Sequence, residues 1–572
     1  MTDSAPYAII GLRVDCARIF RIDKFEATIK NKTGENIMKN FKTFGVMLDM
    51  SRNAVKTVDE LKRFLPLIRK MGYNALFLYC EDTYEVEGEP YFGYMRGRYS
   101  MAEMKELDDF CDSIGIEVIP CIQTLAHLAT HKKWGKVPFD HDQEMLVGDE
   151  RVYELIDHMF ATLSKCFRTK NIHIGMDEAH MLGRGAYLDK NGYEPKIDIM
   201  KKHLARVNEI AAKYGYEEPM IWSDMLFYGW NNDVYVVPKQ EVPEPYRSAL
   251  PKNVIPVFWD YYHGKKSDFS DMLEMHAQIS KKTWFAGGVW TWCGTIPDNE
   301  WTIKSMVPAL DACRENKIKN VFMTLWGNNG GECSYYSVLP SLCYLAEYAK
   351  GNTDEEKIKK KFKSIVGLDY DECMRIDFGN YIAGNERNVT HSRNPSKYML
   401  YADTINDFMD WTVKPGASYK FAEVAKDMHA LAKKSRKYGY VYETAACLCD
   451  AMEIKYELGL RTRAAYEAKD KDELRRLANE DYVEVIKRID AYGKAHSKQW
   501  KKENKFSGHE GMDIRIGGII RRMQTVRQYI LEYCDGKVDT IESLDMELLA
   551  YKNKEESWVF IGALSSMTAN IF

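Results

Sequence analysis

From about residue 43 to about 350, short apolar runs alternate with longer stretches whose apolar positions recur every three or four residues. Runs of the first kind read as buried strands and those of the second as amphipathic helices, so this part of the chain reads as repeated βα units. Strands are predicted at 44–49, 75–80, 117–122, 172–176, 220–224, 254–259, 285–290 and 321–326, with helices between them that include 57–71, 101–114, 151–167 and 197–214. Eight strands, each followed by a helix, in roughly 300 residues is the count of a closed (β/α)8 TIM barrel. An open doubly wound sheet is the competitor, but no GxGxxG follows the first strand. From 352 to 572 the alternation stops, and long helical segments at 419–438, 441–458, 471–497 and 517–533 suggest an α-helical C-terminal domain. Residues 1–42 are expected to form a short N-terminal cover segment, which leaves 43–351 as the catalytic barrel. The segment 385–397 is loop-like, and 503–510 is expected to be a surface turn, with reach over the barrel mouth as its alternative role.

A barrel places its chemistry at the C-terminal ends of its strands. The fourth predicted strand is apolar at Ile172, Ile174 and Met176 and runs into Asp177-Glu178. Strand side chains alternate faces, so two adjacent acids line one pocket only if the backbone turns as the strand ends. Gly175, just ahead of them, permits close approach of backbone or ligand. Asp49 ends the first strand, Glu81 and Asp82 follow the second and His127 follows the third. Trp222, Trp259, Trp290, Trp292 and Trp326 end the fifth to eighth. One such indole is ordinarily core, but indoles at four successive strand ends predict an aromatic-walled pocket for a sugar ring or an acetyl methyl group.

Composition excludes several classes. With 80 basic and 84 acidic residues the net charge is -4, which offers no field to draw nucleic acid or an anionic membrane. No segment approaches 18 uninterrupted apolar residues, and residues 1–20 lack the basic start and long apolar middle of a secretion signal. Thirteen cysteines, an odd number scattered without a repeated CxxC, read as reduced core thiols of a cytoplasmic protein. There is no HExxH, EF-hand loop or Cys/His cluster of ligand spacing, so neither metal nor other cofactor is expected.

The run His173-Ile174-Gly175-Met176-Asp177-Glu178 resembles the signature of family 20 glycoside hydrolases, the β-N-acetylhexosaminidases. The resemblance extends to Gly45-Val46-Met47-Leu48-Asp49-Met50-Ser51-Arg52, to Glu81-Asp82, to Leu125-Ala126-His127, and to Ile221-Trp222 and Leu325-Trp326-Gly327, and so covers residues 40 to 350. It departs at three places. Phe44 stands where many members have an Arg for the outer sugar hydroxyls, Asn328 follows Trp326-Gly327 where many have Glu, with Glu332 a few residues on, and Trp290-Thr291-Trp292 takes the place of the Tyr that clasps the acetamido carbonyl. Tyr261 or Tyr262, after the sixth strand, is the candidate replacement. A divergent, intracellular branch fits these features.

The resemblance implies an exo-acting enzyme that removes terminal GlcNAc or GalNAc from a small glycan by substrate assistance, an exception to the two-carboxylate rule. Glu178 is then the acid/base, and Asp177 orients the acetamido group. Glu81, Asp82, His127, Asn328 and Glu332 are candidates for contact with the sugar or the acids, and His173 either orients a carboxylate or is a satisfied barrel histidine. Two other readings stay open: a glycosidase with a protein nucleophile such as Asp224 or Asp260, and a non-catalytic glycan-binding barrel. GlcNAc and GalNAc, which differ only at O4, are not distinguished. The helical region could serve a homodimer or close the site.

Overall fold

The computed structural model describes residues 41–328, 330–381, 395–407 and 410–549. Seven strands form one parallel sheet: β1 (Thr43–Asp49), β2 (Ala75–Tyr79), β3 (Glu117–Cys121), β4 (Met220–Trp222), β5 (Ile255–Trp259), β6 (Trp284–Gly288) and β7 (Asn320–Leu325). Their order is β3-β2-β1-β7-β6-β5-β4, which leaves a gap between β3 and β4. The segment around His173 fills it, bridging Cys121 on one side and Met220 on the other. His173 N–H donates to Pro120 O at 2.9 Å, Ile122 N–H to His173 O at 2.8 Å, and Ile174 N–H to Met220 O at 2.8 Å. The ring is closed, and the chain is a (β/α)8 barrel whose fourth member is too short to be a regular strand. The strand expected at 172–176 is cut short because Gly175 and Met176 both take φ +76°, and extended backbone cannot continue through positive φ.

Strand alternation sorts the barrel's side chains into two layers. Met47, Ala75, Phe77, Tyr79, Ile119, Cys121, Val257 and Phe322 belong to the cluster that fills the interior, with Phe77 and Phe322 stacked at 4.0 Å. The intervening Val46, Leu76, Leu78 and Val118 join the layer packed with the helices. Those helices begin where short polar side chains cap them: Thr57 before Val58–Met71, Ser100 before Met101–Ser113, Asp149 before Glu150–Cys166 and Asp298 before Asn299–Glu315. Ser100 and Glu103 bond reciprocally as a capping box.

Beyond the barrel lie the helices Tyr419–Lys434, Gly439–Glu467, Tyr482–Glu503 and Glu510–Cys534. The helix expected over 471–497 is divided, a π-helical turn at Leu477–Asp481 separating Lys471–Arg476 from Tyr482–Glu503. The last long helix starts earlier than expected, at Glu510, although Gly511, Gly517 and Gly518 disfavour helix. Its Met512, Ile516 and Ile519 are buried, and tertiary packing overrides the local preference.

This region is bound to the barrel rim. Glu503 pairs with Lys56 at 2.8 Å and accepts from Tyr440 Oη at 2.9 Å, while Glu332 meets Lys397 at 3.1 Å and Arg515 at 3.2 Å. The 503–510 stretch lies against the loops that rise from β1 and β2: Lys505 N–H donates to Val55 O at 2.7 Å and Lys505 Nζ to Arg98 O at 2.9 Å. The cover segment expected at 1–42 lies, but for its last two residues, outside the described residues, as does most of the loop expected at 385–397, whose end opens the helix Pro395–Tyr401. Among the described residues no helix is long and apolar enough to cross a membrane, and every cysteine is free, all but Cys447 being buried.

Candidate active site

Asp177 and Glu178 reach the barrel mouth because the chain turns sharply there. Left-handed backbone at Gly175, Met176 and Glu178 (φ +76°, +76° and +50°) ends the strand pairing and lets both acids line one cavity. Gly175 is required: a Cβ there would stand 2.1 Å from Gln123 Oε1 and 2.7 Å from Ile122 O. What approaches that glycine is Gln123, whose Oε1 accepts from Met176 N–H at 3.2 Å while its Nε2 donates to Asp177 Oδ1 at 2.7 Å. The Glu178 N–H donates to Asp224 Oδ2 at 2.8 Å.

The two acids have different surroundings. The Asp177 side chain is 11% exposed and the Glu178 side chain 43%. His127 Nε2 lies 3.2 Å from Asp177 Oδ2 and 3.6 Å from Glu178 Oε2. Burial alone would raise the Asp177 pKa, but the His127 charge and hydrogen bonds from His127 and Gln123 outweigh it and hold the group below its usual value. Burial disfavours the imidazolium of His127, yet Asp177, and then Glu81, raise its pKa to about 9. The pair is therefore an imidazolium beside a carboxylate. His173 plays no part in it: burial lowers its pKa to about 3, its Nδ1 accepts from Gly175 N–H at 3.1 Å, and its ring lies 4.2 Å from that of Trp222.

Around the acids stand Trp222, Trp259, Tyr261, Tyr262, Trp292 and Trp326, with Asn328, Tyr79, His127 and Arg52 completing a concavity of about 530 Å³, mouth included. Tyr261 Oη accepts from Trp326 Nε1 at 3.0 Å, and Trp259 stacks on Tyr261 at 5.4 Å. Gly288 lets this wall close up, since a Cβ there would meet Tyr261 at 2.6 Å.

Four of the predicted contact residues stand elsewhere. Trp290 is buried behind Trp292, stacked at 4.5 Å, with its Nε1 bonded to Tyr261 O. Glu81 is buried behind the wall, 3.1 Å from Arg52 Nη2, and burial raises its pKa although Arg52 opposes the shift. Asp82 bonds Arg96 at 3.1 Å and Thr130 at 2.8 Å, and Glu332 serves the contacts with the C-terminal helices. Neither alternative nucleophile lines the cavity: Asp224 bonds the Glu178 main chain, and Asp260 accepts from Tyr262 N–H at 2.9 Å and faces His263 Nδ1 at 2.9 Å. Three residues of the site went unassigned in the sequence: Arg52, Tyr79 and Gln123. Arg52 and Gln123 lie within three residues of a predicted strand end, the one signal that could have marked them. Phe44 is packed against Tyr73 at 4.8 Å in the layer outside the barrel and takes no part in the pocket, whose lining includes the guanidinium of Arg52 as well as the imidazolium of His127. Among the described residues no group of three or more His, Cys, Asp or Glu is arranged to hold a metal ion.

Residues 41–268 match the family model of the glycosyl hydrolase family 20 catalytic domain, and residues 371–560 match that of the glycoside hydrolase 20C C-terminal domain. Hexosaminidase D of Homo sapiens is 24% identical over 361 residues, 56% of this chain and 68% of the relative. Hexosaminidase D of Bos taurus is 27% identical over 271 residues, 44% of this chain and 70% of the relative. Among solved structures, a GH20 exo β-N-acetylglucosaminidase from Vibrio harveyi in complex with N-acetylglucosamine is 15% identical, with a TM-score of 0.45 over 59% of this chain and 58% of that chain. With one family model on the barrel and a second on the helical region, the chain belongs to family 20 of the glycoside hydrolases.

Proposed function

We propose that this chain is an exo-acting, retaining β-N-acetylhexosaminidase that releases terminal GlcNAc or GalNAc by substrate assistance. One observation carries the reading: among the described residues that line the pocket, the carboxylates are Asp177 and Glu178, which are neighbours in the chain. A retaining enzyme with its own nucleophile needs a second carboxylate about 5–5.5 Å from the acid, across the scissile bond. Adjacent acids at one strand end seldom face each other across a sugar, which supports a nucleophile supplied by the substrate itself. The names of the matched relatives, Hexosaminidase D, agree with a 2-acetamido substrate.

In the first step the 2-acetamido oxygen attacks the anomeric carbon, Glu178 passes its proton to the glycosidic oxygen, and the leaving alcohol departs from an oxazolinium ion. In the second, water attacks the anomeric carbon, Glu178 takes a proton from it, and the bond to the acetamido oxygen breaks. Asp177, held ionised by His127, accepts the acetamido N–H and stabilises the cationic intermediate. The Tyr261 hydroxyl, which accepts from Trp326 and keeps its own proton to donate, clasps the acetamido carbonyl. The indoles of Trp222, Trp259, Trp292 and Trp326 enclose the acetyl methyl group and the apolar face of the ring. Arg52, backed by Glu81, takes the outer hydroxyls that the residue at position 44 does not reach.

The test compares hydrolysis of an aryl N-acetyl-β-glucosaminide with that of the matching aryl β-glucoside, which lacks the internal nucleophile. Turnover of the first alone is expected. Comparable rates on both would sink the mechanism and return attention to a protein nucleophile.

A further inference from the structure

Left-handed backbone is unfavourable for any residue that bears a Cβ, and it persists where neighbouring groups hold it. Met176 and Glu178 both adopt it, one on either side of Asp177. Gln123 holds the first, through its bond to Met176 N–H. Asp224 holds the second: its Oδ2 accepts from Glu178 N–H at 2.8 Å, and its Oδ1 lies 3.4 Å from Trp259 Nε1. Asp224 follows β4 by two residues, is fully buried and does not line the cavity. One carboxyl group thus joins the main chain of the acid/base to an indole of the sugar-binding wall.

We propose that Asp224 is a positioning residue that sets the Glu178 carboxyl against the glycosidic oxygen by bonding the Glu178 main chain and Trp259 together. The proposal rests on the reading of Glu178 as acid/base. Burial, together with the charges of Asp177 and Glu178, raises the pKa of Asp224 well above the usual carboxylate range, which suits a neutral structural group and not a nucleophile. A loosened acid is felt most where the leaving group needs a proton, since small misplacements of a reacting group cost on the order of 10²-fold in rate.

The experiment measures kcat/KM of Asp224→Ala and Asp224→Asn on two N-acetyl-β-glucosaminides. One carries phenol, which needs protonation to leave, and the other 2,4-dinitrophenol, which does not. For the alanine variant we expect a loss of roughly 10- to 100-fold on the phenyl substrate and only a few-fold on the dinitrophenyl one. Asparagine, which keeps an oxygen for Glu178 N–H, should recover most of the loss. Equal losses on the two substrates, wild-type rates on both, or no recovery with asparagine would each overturn the proposal. If the alanine variant does not fold, Asp224→Ser is read by the same ratio. Inactivity of the unaltered protein on both substrates would instead sink the hexosaminidase reading, and the proposal with it.

Discussion

At the scale of single residues, His127 sets the charge state of the pocket. Its imidazole lies 3.2 Å from Asp177 and 3.6 Å from Glu178, and its folded pKa of about 9 stands above the unfolded value of 6.5. The stability it contributes is therefore fully present below pH 6.5 and is lost as pH rises through about 9. Asp177 has the opposite sign: its folded pKa is depressed, so its contribution is present above its usual value of 3.8 and is lost in acid. Urea unfolding of the wild-type protein and of His127→Gln, measured from pH 6 to 10, should show the wild type losing stability over that interval relative to the variant. Parallel curves would mean that His127 is not charged in the fold. Asp177, Glu178 and His127 were legible in the sequence because each follows a predicted strand. Arg52 was not, because a lone Arg in a loop after a strand looks like any solvated cation until the fold sets it 3.1 Å from Glu81.

At the scale of elements, the irregular segment between β3 and β4 joins the two ends of the sheet and presents the acids. Gly175 is its pivot. With a Cβ at that position 2.1 Å from Gln123 Oε1, and φ at +76°, Gly175→Ala must displace Gln123 and strain the backbone. A loss of about 1–3 kcal/mol in stability is expected, together with a marked fall in kcat/KM because Gln123 also holds Asp177. Thermal melts and aryl hexosaminide kinetics check this, and an unchanged melting temperature with unchanged rates would refute it. The apolar run at 172–176 and the need for a turn before the acids were both readable. That the run would end in left-handed residues and pair through His173 was not, because the pairing depends on where β3 and β4 lie. The division of the 471–497 helix was equally hidden, since a π-helical turn changes the local winding without a Gly or Pro to mark it.

At the scale of the whole molecule, the C-terminal helices steady the rim of the barrel. Glu503 and Lys56 form a 2.8 Å pair whose side chains are 1% and 4% exposed, and Glu503 also accepts from Tyr440 and from Ser334 Oγ. Glu503→Ala leaves a buried lysine without its carboxylate, a change of the kind that costs about 3–5 kcal/mol. A fall of that order in unfolding free energy is expected, read as a lower urea midpoint at unchanged slope, with barrel and helical region unfolding together. An unchanged midpoint would show that the two regions do not depend on this contact.

By itself the sequence determined the barrel, the helical region after it, the aromatic wall and the two acids. Strand and helix periodicities are local properties, and a barrel converts strand ends into a common rim. Only the tertiary structure decided which rim residues face the cavity: it brought in Arg52 and Tyr79, set the buried Gln123 against Asp177, and placed Glu81, Asp82, Trp290 and Glu332 behind or beyond the wall. It also gave Asp177 a buried cation for a neighbour while leaving Glu178 at the mouth. The physical reason is common to these cases. A side chain's facing and electrostatic surroundings are set by residues distant in sequence, such as Asp224 on Glu178 and Arg515 on Glu332, and no local pattern encodes such pairs.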